Sequence, residues 1–181
     1  MDEQIIADVS QWLDDVVIGL NLCPFAAQPR RQNRVRICVS HARDEEALLD
    51  DMQRELERLS DTPVEELETT VIAIADLFED FDDYNQFFDL VDLWLERFGW
   101  VGDMQVASFH PHYQFADTEP EDAGNLTNRS PWPLLHLIRE DSLEAALANF
   151  PDPDGIPERN IRRMEALTAE ERQRLFPHLF G

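Results

Sequence analysis

The chain has 181 residues, 43% of them hydrophobic, so it is long enough for one globular domain spanning residues 1–181 and too short for two. Acidic residues outnumber basic ones by 38 to 15, every basic residue is arginine, and the net charge is −23. Such a charge disfavours nucleic-acid binding, because neutralising phosphates needs a basic surface. We interpret it as adaptation to a salt-rich cytoplasm, where mobile ions screen the repulsion between carboxylates.

Nothing in the sequence predicts export or membrane insertion. No apolar run approaches the roughly 20 residues of a membrane-spanning helix, and the acidic start MDEQ is unlike a secretory signal. Two cysteines cannot form the disulfide framework of a small secreted domain. We therefore expect a soluble cytoplasmic protein with no membrane partner.

The first predicted element is an amphipathic helix over residues 2–20. Apolar side chains recur on one stripe at the spacing of an α-helix: Ile5, Val9, Trp12, Val16 and Leu20. Asn21 suits the left-handed backbone that closes a helix, and Pro24 prevents the helix from resuming.

Strands and helices are then predicted in alternation. Short apolar runs predict three strands, at Val35–Ser40, Thr69–Ala75 and Met104–Phe109. Amphipathic spacing predicts helices between them, at Arg43–Ser60 and Tyr84–Phe98. This order is typical of an α/β sheet.

The segment after the third strand is harder to interpret. Leu134–Arg139 favours a fourth strand, although a short helix begun by Ser130 and Pro131 is also compatible with the sequence. The C-terminal part predicts helices, one of them opened by a capping box of Thr168 and Glu171. The predicted fold is α/β, with a small three- to four-stranded, mainly parallel sheet flanked by helices, and with helical N- and C-terminal segments.

Polar residues suited to a binding site concentrate in the span 108–140. It holds three of the five histidines, which are His110, His112 and His136. Because ligands of parallel α/β sheets gather beyond the carboxyl ends of the strands, His110 after the third strand is a candidate. His41 and Asp76 follow the first two strands, but starting a loop and capping a helix explain them better.

Metal and thiol chemistry are weaker predictions. A Zn²⁺ site of His110, His136 and Cys23 is an alternative, but a buried histidine more often binds backbone carbonyls. Cys23 follows a predicted helix C-terminus, where the dipole discourages a thiolate, so packing is favoured over nucleophilic catalysis. Cys38 lies within a strand and is expected in the core.

The run from Asn125 to Ser130 has two interpretations of equal weight. Arg129 could bind a carboxylate or phosphate with two parallel N–H···O hydrogen bonds from its guanidinium. Alternatively, the run is an ordered loop whose Asn and Arg side chains bind buried carbonyls.

Four blocks of this sequence resemble a bacterial family catalogued as domain-of-unknown-function family 1415. The blocks are GLNLCPFA at 19–26, SFHPHYQFA at 108–116, NLTNRSPWPLLHLIRE at 125–140 and FPDPDGIPERN at 150–160. The family has no assigned reaction, so the resemblance implies site residues without a chemistry. It covers nearly the whole chain.

The resemblance carries particular positions over to this chain. The family pattern is matched at Asn21, Cys23, Pro24, His110, Pro111, Tyr113, Phe115, Asn128, Arg129, Ser130, Pro131, His136, Arg139 and Glu140. His110 and His112 form a His-x-His pair that could bind a metal, but His112 falls at a variable position of the family, which weakens that hypothesis. Ala75-Asp76 stands where relatives have His-Pro, so Asp76 loses weight, and Trp132 replaces an aromatic that is often Tyr.

We therefore expect a small enzyme or small-molecule-binding domain for an anionic ligand. The expected catalytic residues are His110, His136 and Cys23, and the expected substrate-binding residues are Arg129, Asn128, Ser130, Tyr113 and Arg139. The alternative is a non-catalytic protein-interaction domain, in which the polar run is structural and partners dock on exposed aromatics such as Trp132. The sequence does not predict the oligomeric state.

Overall fold

The structure, a computed structural model, describes residues 1–180. Four strands form one sheet: β1 (Val35–Ser40), β2 (Thr69–Ile74), β3 (Met104–Phe109) and β4 (Leu134–Arg139). The α-helices are α1 (Asp2–Trp12), α2 (Ala27–Arg31), α3 (Glu45–Asp61), α4 (Phe81–Arg97), α5 (Glu140–Ala148), α6 (Ile156–Glu165) and α7 (Ala169–Leu175). A π-helical segment, Leu13–Ile18, continues α1, and short 3₁₀ helices occupy Ala123–Asn128 and Pro177–Leu179.

The sheet order is β1-β2-β4-β3. β1 and β2 pair in parallel, whereas β4 pairs antiparallel with both β2 and β3. Three of the four strands therefore point the same way, yet only one of the three pairings is parallel, because β4 lies between β2 and β3. The α/β class and the flanking helices were predicted, and this insertion was not.

The two faces of the sheet bury different sets of residues. The packed face, which presents Ile72, Ile74, Leu135 and Leu137, lies against α3 and α4 in one hydrophobic cluster. The open face, which presents Val71, Ala73, Leu134 and His136, lies against α1 and the C-terminal segment. Successive strand residues point to opposite faces, so each strand contributes to both clusters.

The first predicted helix changes geometry halfway along. α1 ends at Trp12. In the π-helical turns that follow, hydrogen bonds join residues five apart, such as Gly19 N–H to Asp14 O at 2.9 Å. The buried stripe in this segment also includes Leu13 and Val17. Asn21 has a φ of 54°, as its left-handed role predicted.

The remaining element predictions agree closely with the structure. Leu134–Arg139 is a strand, which decides between the two interpretations of that segment. α4 begins at Phe81, earlier than predicted, because the Asp80 carboxylate accepts the N–H groups of Asp82 and Asp83. The capping box of Thr168 and Glu171 is formed. Among residues 1–180, no helix is both long and apolar enough to cross a membrane.

Candidate functional site

A cavity of about 1270 Å³ opens on the open face of the sheet. Its floor is made of short or half-buried strand side chains: Val35, Thr69, Val71, Ala107 and His136. Its walls come from the first helix and its π-helical continuation, the loop 23–26, and α5: Trp12, Leu13, Val17, Cys23, Pro24, Phe25, Ala26, Leu143, Ala146 and Phe150. Most of this lining is apolar, as is usual for small-molecule sites.

The cavity lies over the start of β1 and β2, where Val35 and Thr69 are paired, and not beyond their carboxyl ends. The sequence predicted a site at those carboxyl ends, and the cavity lies at the opposite end of the strands. α1 begins beside the carboxyl ends of these strands, where His41 Nε2 lies 3.0 Å from Asp2 Oδ1, and the cavity is lined by Val35 and Thr69 at their other ends. Because β4 runs the other way, its end at Arg139 reaches the same edge as Thr69.

His136 is the titratable group on the cavity floor. Its Nε2 lies 2.7 Å from Thr69 Oγ1, and that hydroxyl donates to Leu137 O at 2.6 Å. Burial lowers the pKa of His136 to about 4, so the imidazole is neutral near pH 7. Across the described chain, Nδ1 makes no hydrogen bond, and the His136 side chain lines the cavity.

Cys23 lines the same cavity as His136. Burial raises the pKa of Cys23, and this outweighs the opposing effect of the Phe25 and Ala26 N–H groups. The sulfur is therefore a thiol near neutral pH and needs a base before it can attack. The expectation that electrostatics disfavour a thiolate agrees with this, although burial and not the helix dipole is the main cause.

Arg139 lies at the polar edge of the cavity, on the packed face of β4 and three residues after His136. Its Nη2 donates to three backbone carbonyls, those of Leu59, Thr62 and Leu67. It forms no ion pair with any residue in 1–180, whereas the neighbouring Arg34 is paired with Glu68 at 3.1 Å. Burial lowers the pKa of Arg139, but a guanidinium remains charged at any physiological pH.

His110 lies outside the cavity, against α4. Its Nε2 donates to Phe78 O at 2.9 Å, and its Nδ1 accepts the His112 N–H at 3.0 Å. The ring lies 5.0 Å from that of Tyr84 and is fully buried. Burial lowers the pKa of His110, so it is neutral, and neither ring nitrogen is free to act as a base or metal ligand.

The polar run near Arg129 is bound to its own backbone. The Arg129 guanidinium donates from Nε to Tyr113 O at 3.1 Å and from Nη2 to Pro120 O at 2.8 Å. Asn128 Nδ2 donates to Ser108 O at 3.0 Å, and Ser130 Oγ donates to Trp132 O at 2.6 Å. Of the two interpretations of this run, the ordered loop matches these contacts.

The predicted cluster is therefore divided. His136, Cys23 and Arg139 line the cavity, whereas His110, Arg129, Asn128, Ser130 and Tyr113 do not. The expectation that His110 and Arg129 converge with His136 and Cys23 is corrected, because Phe81 and Tyr84 hold His110 on the α4 side. In the described residues, no three His, Cys, Asp or Glu side chains gather as metal ligands, and the Zn²⁺ alternative is not formed.

Two other residues were singled out at strand ends. His41 Nδ1 lies 2.8 Å from Asp76 Oδ2, and its Nε2 lies 3.0 Å from Asp2 Oδ1, on the surface. Both carboxylates raise the pKa of His41. These contacts tie the start of α1 to the ends of β1 and β2.

Thr69 and Arg34 belong to the cavity and were not predicted as site residues. Thr69 opens β2, and the period of two along that strand places it on the same face as Val71. That alternation could have located Thr69 on a face, but not opposite His136, because the antiparallel placement of β4 is not visible in the sequence.

No curated protein and no solved structure gives a significant match to this chain. A family model does match, over residues 4–174 and so over nearly the whole chain. The chain belongs to the family described as "Protein of unknown function (DUF1415)".

Proposed function

We propose that this protein binds a small molecule with an apolar body and an anionic end in the cavity on the open face of the sheet. The observation that carries the proposal is the cavity itself, about 1270 Å³ in volume and lined by apolar walls with a few polar groups at defined places. This volume is at the upper end of the range usual for small-molecule pockets, so the cavity can hold a ligand together with water.

The apolar body of the ligand would lie between the sheet floor and the first helix. Val71 and Ala107 form the floor there, and Leu13 and Val17 form the opposite wall. Removing apolar surface from water supplies about 25 cal/mol per Å², so a ligand with a hydrocarbon body gains most from this part of the cavity.

The anionic end would meet Arg139. Its guanidinium donates to carbonyls and forms no ion pair in the described part of the chain, although the carboxylates of Glu68 and Glu65 lie near enough to raise its pKa against the effect of burial. The carboxylates of Asp61 and Asp141 also line this edge. They repel anions, so the anionic end of the ligand would have to lie beside Arg139 and away from both carboxylates.

For catalysis, we assign the general base to His136 and the nucleophile to Cys23. Burial lowers the pKa of the His136 imidazole to about 4 and raises that of the Cys23 thiol, so a bound anionic ligand, which favours the imidazolium, would have to raise the pKa of His136 before it could take the thiol proton. The two side chains share the cavity, which supports this assignment. His110 and Arg129 receive structural roles in place of the catalytic and binding roles expected from the sequence.

Calorimetric titration with octanoate, decanoate and dodecanoate tests the proposal. We expect at least one of them to bind with a negative heat-capacity change, the mark of apolar burial. Arg139→Gln should weaken that binding by about tenfold, since a hydrogen bond to a charged group is lost. Arg54→Gln is the matched control, because Arg54 is exposed and lies outside the cavity.

Ala107→Trp provides a second variant that leaves every charge in place. Ala107 lies on the cavity floor, so an indole there occupies space that the ligand needs. Binding that is absent for all three acids, or that survives Ala107→Trp unchanged, would overturn the proposal. Circular dichroism of each variant shows whether the fold is retained.

The second candidate is a protein-interaction domain. The observation that favours it is the ordered polar loop, whose side chains satisfy backbone carbonyls instead of facing a cavity. Trp132 is a poor docking residue, since it is half-buried and its Nε1 donates to Asp8 Oδ2 at 3.2 Å. Loss of ligand binding in the titration above, with the fold retained, would favour this candidate.

We also infer that the acidic surface is an adaptation to a salt-rich cytoplasm. With 38 acidic and 15 basic residues, repulsion between carboxylates outweighs ion pairing at low salt. The free energy of unfolding should rise between low and molar potassium chloride, measured by urea titration. A protein that is equally stable at both salt concentrations would contradict this inference.

A further inference from the structure

The hydrogen bonds around His136 fix which ring nitrogen carries the proton. Thr69 has one hydroxyl proton, and Leu137 O, 2.6 Å away, can only accept it. The Thr69 oxygen must therefore accept at its other contact, so His136 Nε2, 2.7 Å away, is the donor. Nδ1 is left without a proton and presents a lone pair.

This lone pair lies in a largely apolar setting. His136 shares the cavity floor with Val71 and Ala107, and the Phe109 ring lies 6.3 Å from the imidazole. Burial lowers the pKa of His136 to about 4, so the ring stays neutral and the lone pair stays available near pH 7. A ligand that fills the cavity without a donor at this point would strip water from Nδ1 and leave it unpaired.

An unpaired buried acceptor is unfavourable, and this constrains the ligand. Removing water from one polar atom without replacing the hydrogen bond costs about 1–3 kcal/mol. A ligand hydroxyl avoids that cost, and it is easier to bury than an ammonium group beside apolar walls. Arg139 has only hydrogen-bond donors, so it can bind the ligand's carboxylate but cannot accept the proton of the ligand's hydroxyl.

We propose that the ligand is an apolar hydroxy acid, whose carboxylate meets Arg139 and whose hydroxyl donates to Nδ1 of His136. This inference rests on the proposed function and adds the class of ligand to it. Thr69 is a positioning residue in this arrangement. It acts on the ligand indirectly, by fixing the tautomer of His136.

Matched pairs of acids test the inference. Decanoate would be compared with 2-hydroxy-, 3-hydroxy- and 10-hydroxydecanoate by calorimetry. We expect at least one hydroxylated acid to bind about three- to tenfold more tightly than decanoate, the range expected for one net hydrogen bond. In His136→Phe, which keeps the volume but has no acceptor, that preference should disappear while decanoate still binds.

Thr69→Val tests the positioning role separately. Valine keeps the shape of threonine and removes the oxygen that accepts from Nε2, so both tautomers of His136 become accessible. ¹⁵N NMR of the histidine ring should show a proton on Nε2 alone in the natural protein and a mixture in Thr69→Val. The hydroxyl preference should fall in parallel, although the imidazole is still present.

The outcomes separate this inference from the function on which it rests. Equal binding of decanoate and of every hydroxylated acid would overturn the hydroxy-acid inference and leave the proposed function standing. A proton found on Nδ1 in the natural protein would also overturn it. Binding of none of the acids would remove the proposed function and the inference together.

Discussion

The two faces of the same four strands have opposite packing. On the packed face, the two 17-residue helices α3 and α4 cover the sheet, and core residues such as Leu56 and Phe87 are almost fully buried. On the open face, α1 covers part of the sheet, and a cavity of about 1270 Å³ remains beside it. The same strands thus carry a packed core on one face and a cavity on the other, so the helices that cover the sheet, more than the strand sequences, decide where a ligand can enter.

Two histidines, one fully buried and one half-buried, show the consequence of that difference. His110, on the packed side, has both ring nitrogens bound to backbone groups and is a structural residue. His136, on the open side, has one nitrogen bound to Thr69 and one free. The same residue type, in the same polar stretch of sequence, is inert on one face and chemically available on the other.

Truncating one leucine on each face should give the largest contrast. Leu56→Ala, at a fully buried position on the packed side, should lower the free energy of unfolding by about 3–5 kcal/mol, because it creates a new cavity. Leu143→Ala, at the half-buried cavity wall, should cost about 1 kcal/mol or less, since space is already present there. Urea unfolding measures both, and equal losses would contradict the two-face description.

Replacing each histidine by phenylalanine should give the next largest contrast. His110→Phe leaves Phe78 O and the His112 N–H without partners and should cost about 2–3 kcal/mol of stability. His136→Phe should cost less than about 1 kcal/mol, because Thr69 keeps its bond to Leu137 O. A larger loss for His136→Phe in urea unfolding would reverse the roles assigned to the two residues.

Gly19 tests the π-helical turn that leads to the cavity. A Cβ at this position would lie 2.2 Å from Asp15 O, so the backbone must move. Gly19→Ala should therefore cost about 2 kcal/mol, in the range of overpacked sites. Gly124→Ala is the control, since its Cβ would meet only the Ile161 side chain at 3.3 Å. Thermal unfolding that ranks Gly124→Ala as the worse variant would count against this geometry.

The pH dependence of stability should give the smallest effect. Burial lowers the pKa of His136 from 6.5 to about 4 in the folded protein, so the unfolded chain binds more protons between these values. Stability should fall by about 1 kcal/mol from about pH 7 to about pH 5.5 through this residue alone. Urea unfolding of His136→Phe should show a shallower fall, and an equally steep one would refute the assignment.

His41 provides the internal control for that titration, because its shift has the opposite sign. Asp76 and Asp2 raise the pKa of His41, so its contribution is present below about pH 6.5 and is lost as the pH rises through its folded value. ¹H NMR should show His41 titrating above, and His136 well below, an ordinary histidine. Coinciding titrations would contradict the difference in burial between the two rings.

Most of the secondary structure was predictable because its signals are local. β1 and β3 match their predicted ranges, and the capping box of Thr168 marks α7. The π-helical segment was missed, since the apolar stripe from Ile5 to Val16 fits an ordinary α-helix equally well. No local sequence pattern distinguishes the π-helical segment Leu13–Ile18 from a continued α-helix.

The candidate site was predictable only in part. The residues themselves pointed to His110, His136 and Arg129, and the resemblance added Cys23 and Arg139; of these, His136, Cys23 and Arg139 share a cavity. Nothing local separates the two histidines, since each follows or occupies an apolar strand. Their difference comes from strand register, which sets His136 opposite Val71 and Ala107.

By itself, the sequence determined the α/β class, the strands, the approximate positions of the main helices, and the large negative charge, because these follow from periodicity, capping and composition. Only the tertiary structure decided that β4 lies antiparallel between β2 and β3. That placement depends on long-range pairing. It brings Thr69 next to β4, although Thr69 and His136 are 67 residues apart along the chain. It also decided which histidine kept a free nitrogen, because hydrogen-bond partners are chosen by neighbours in space.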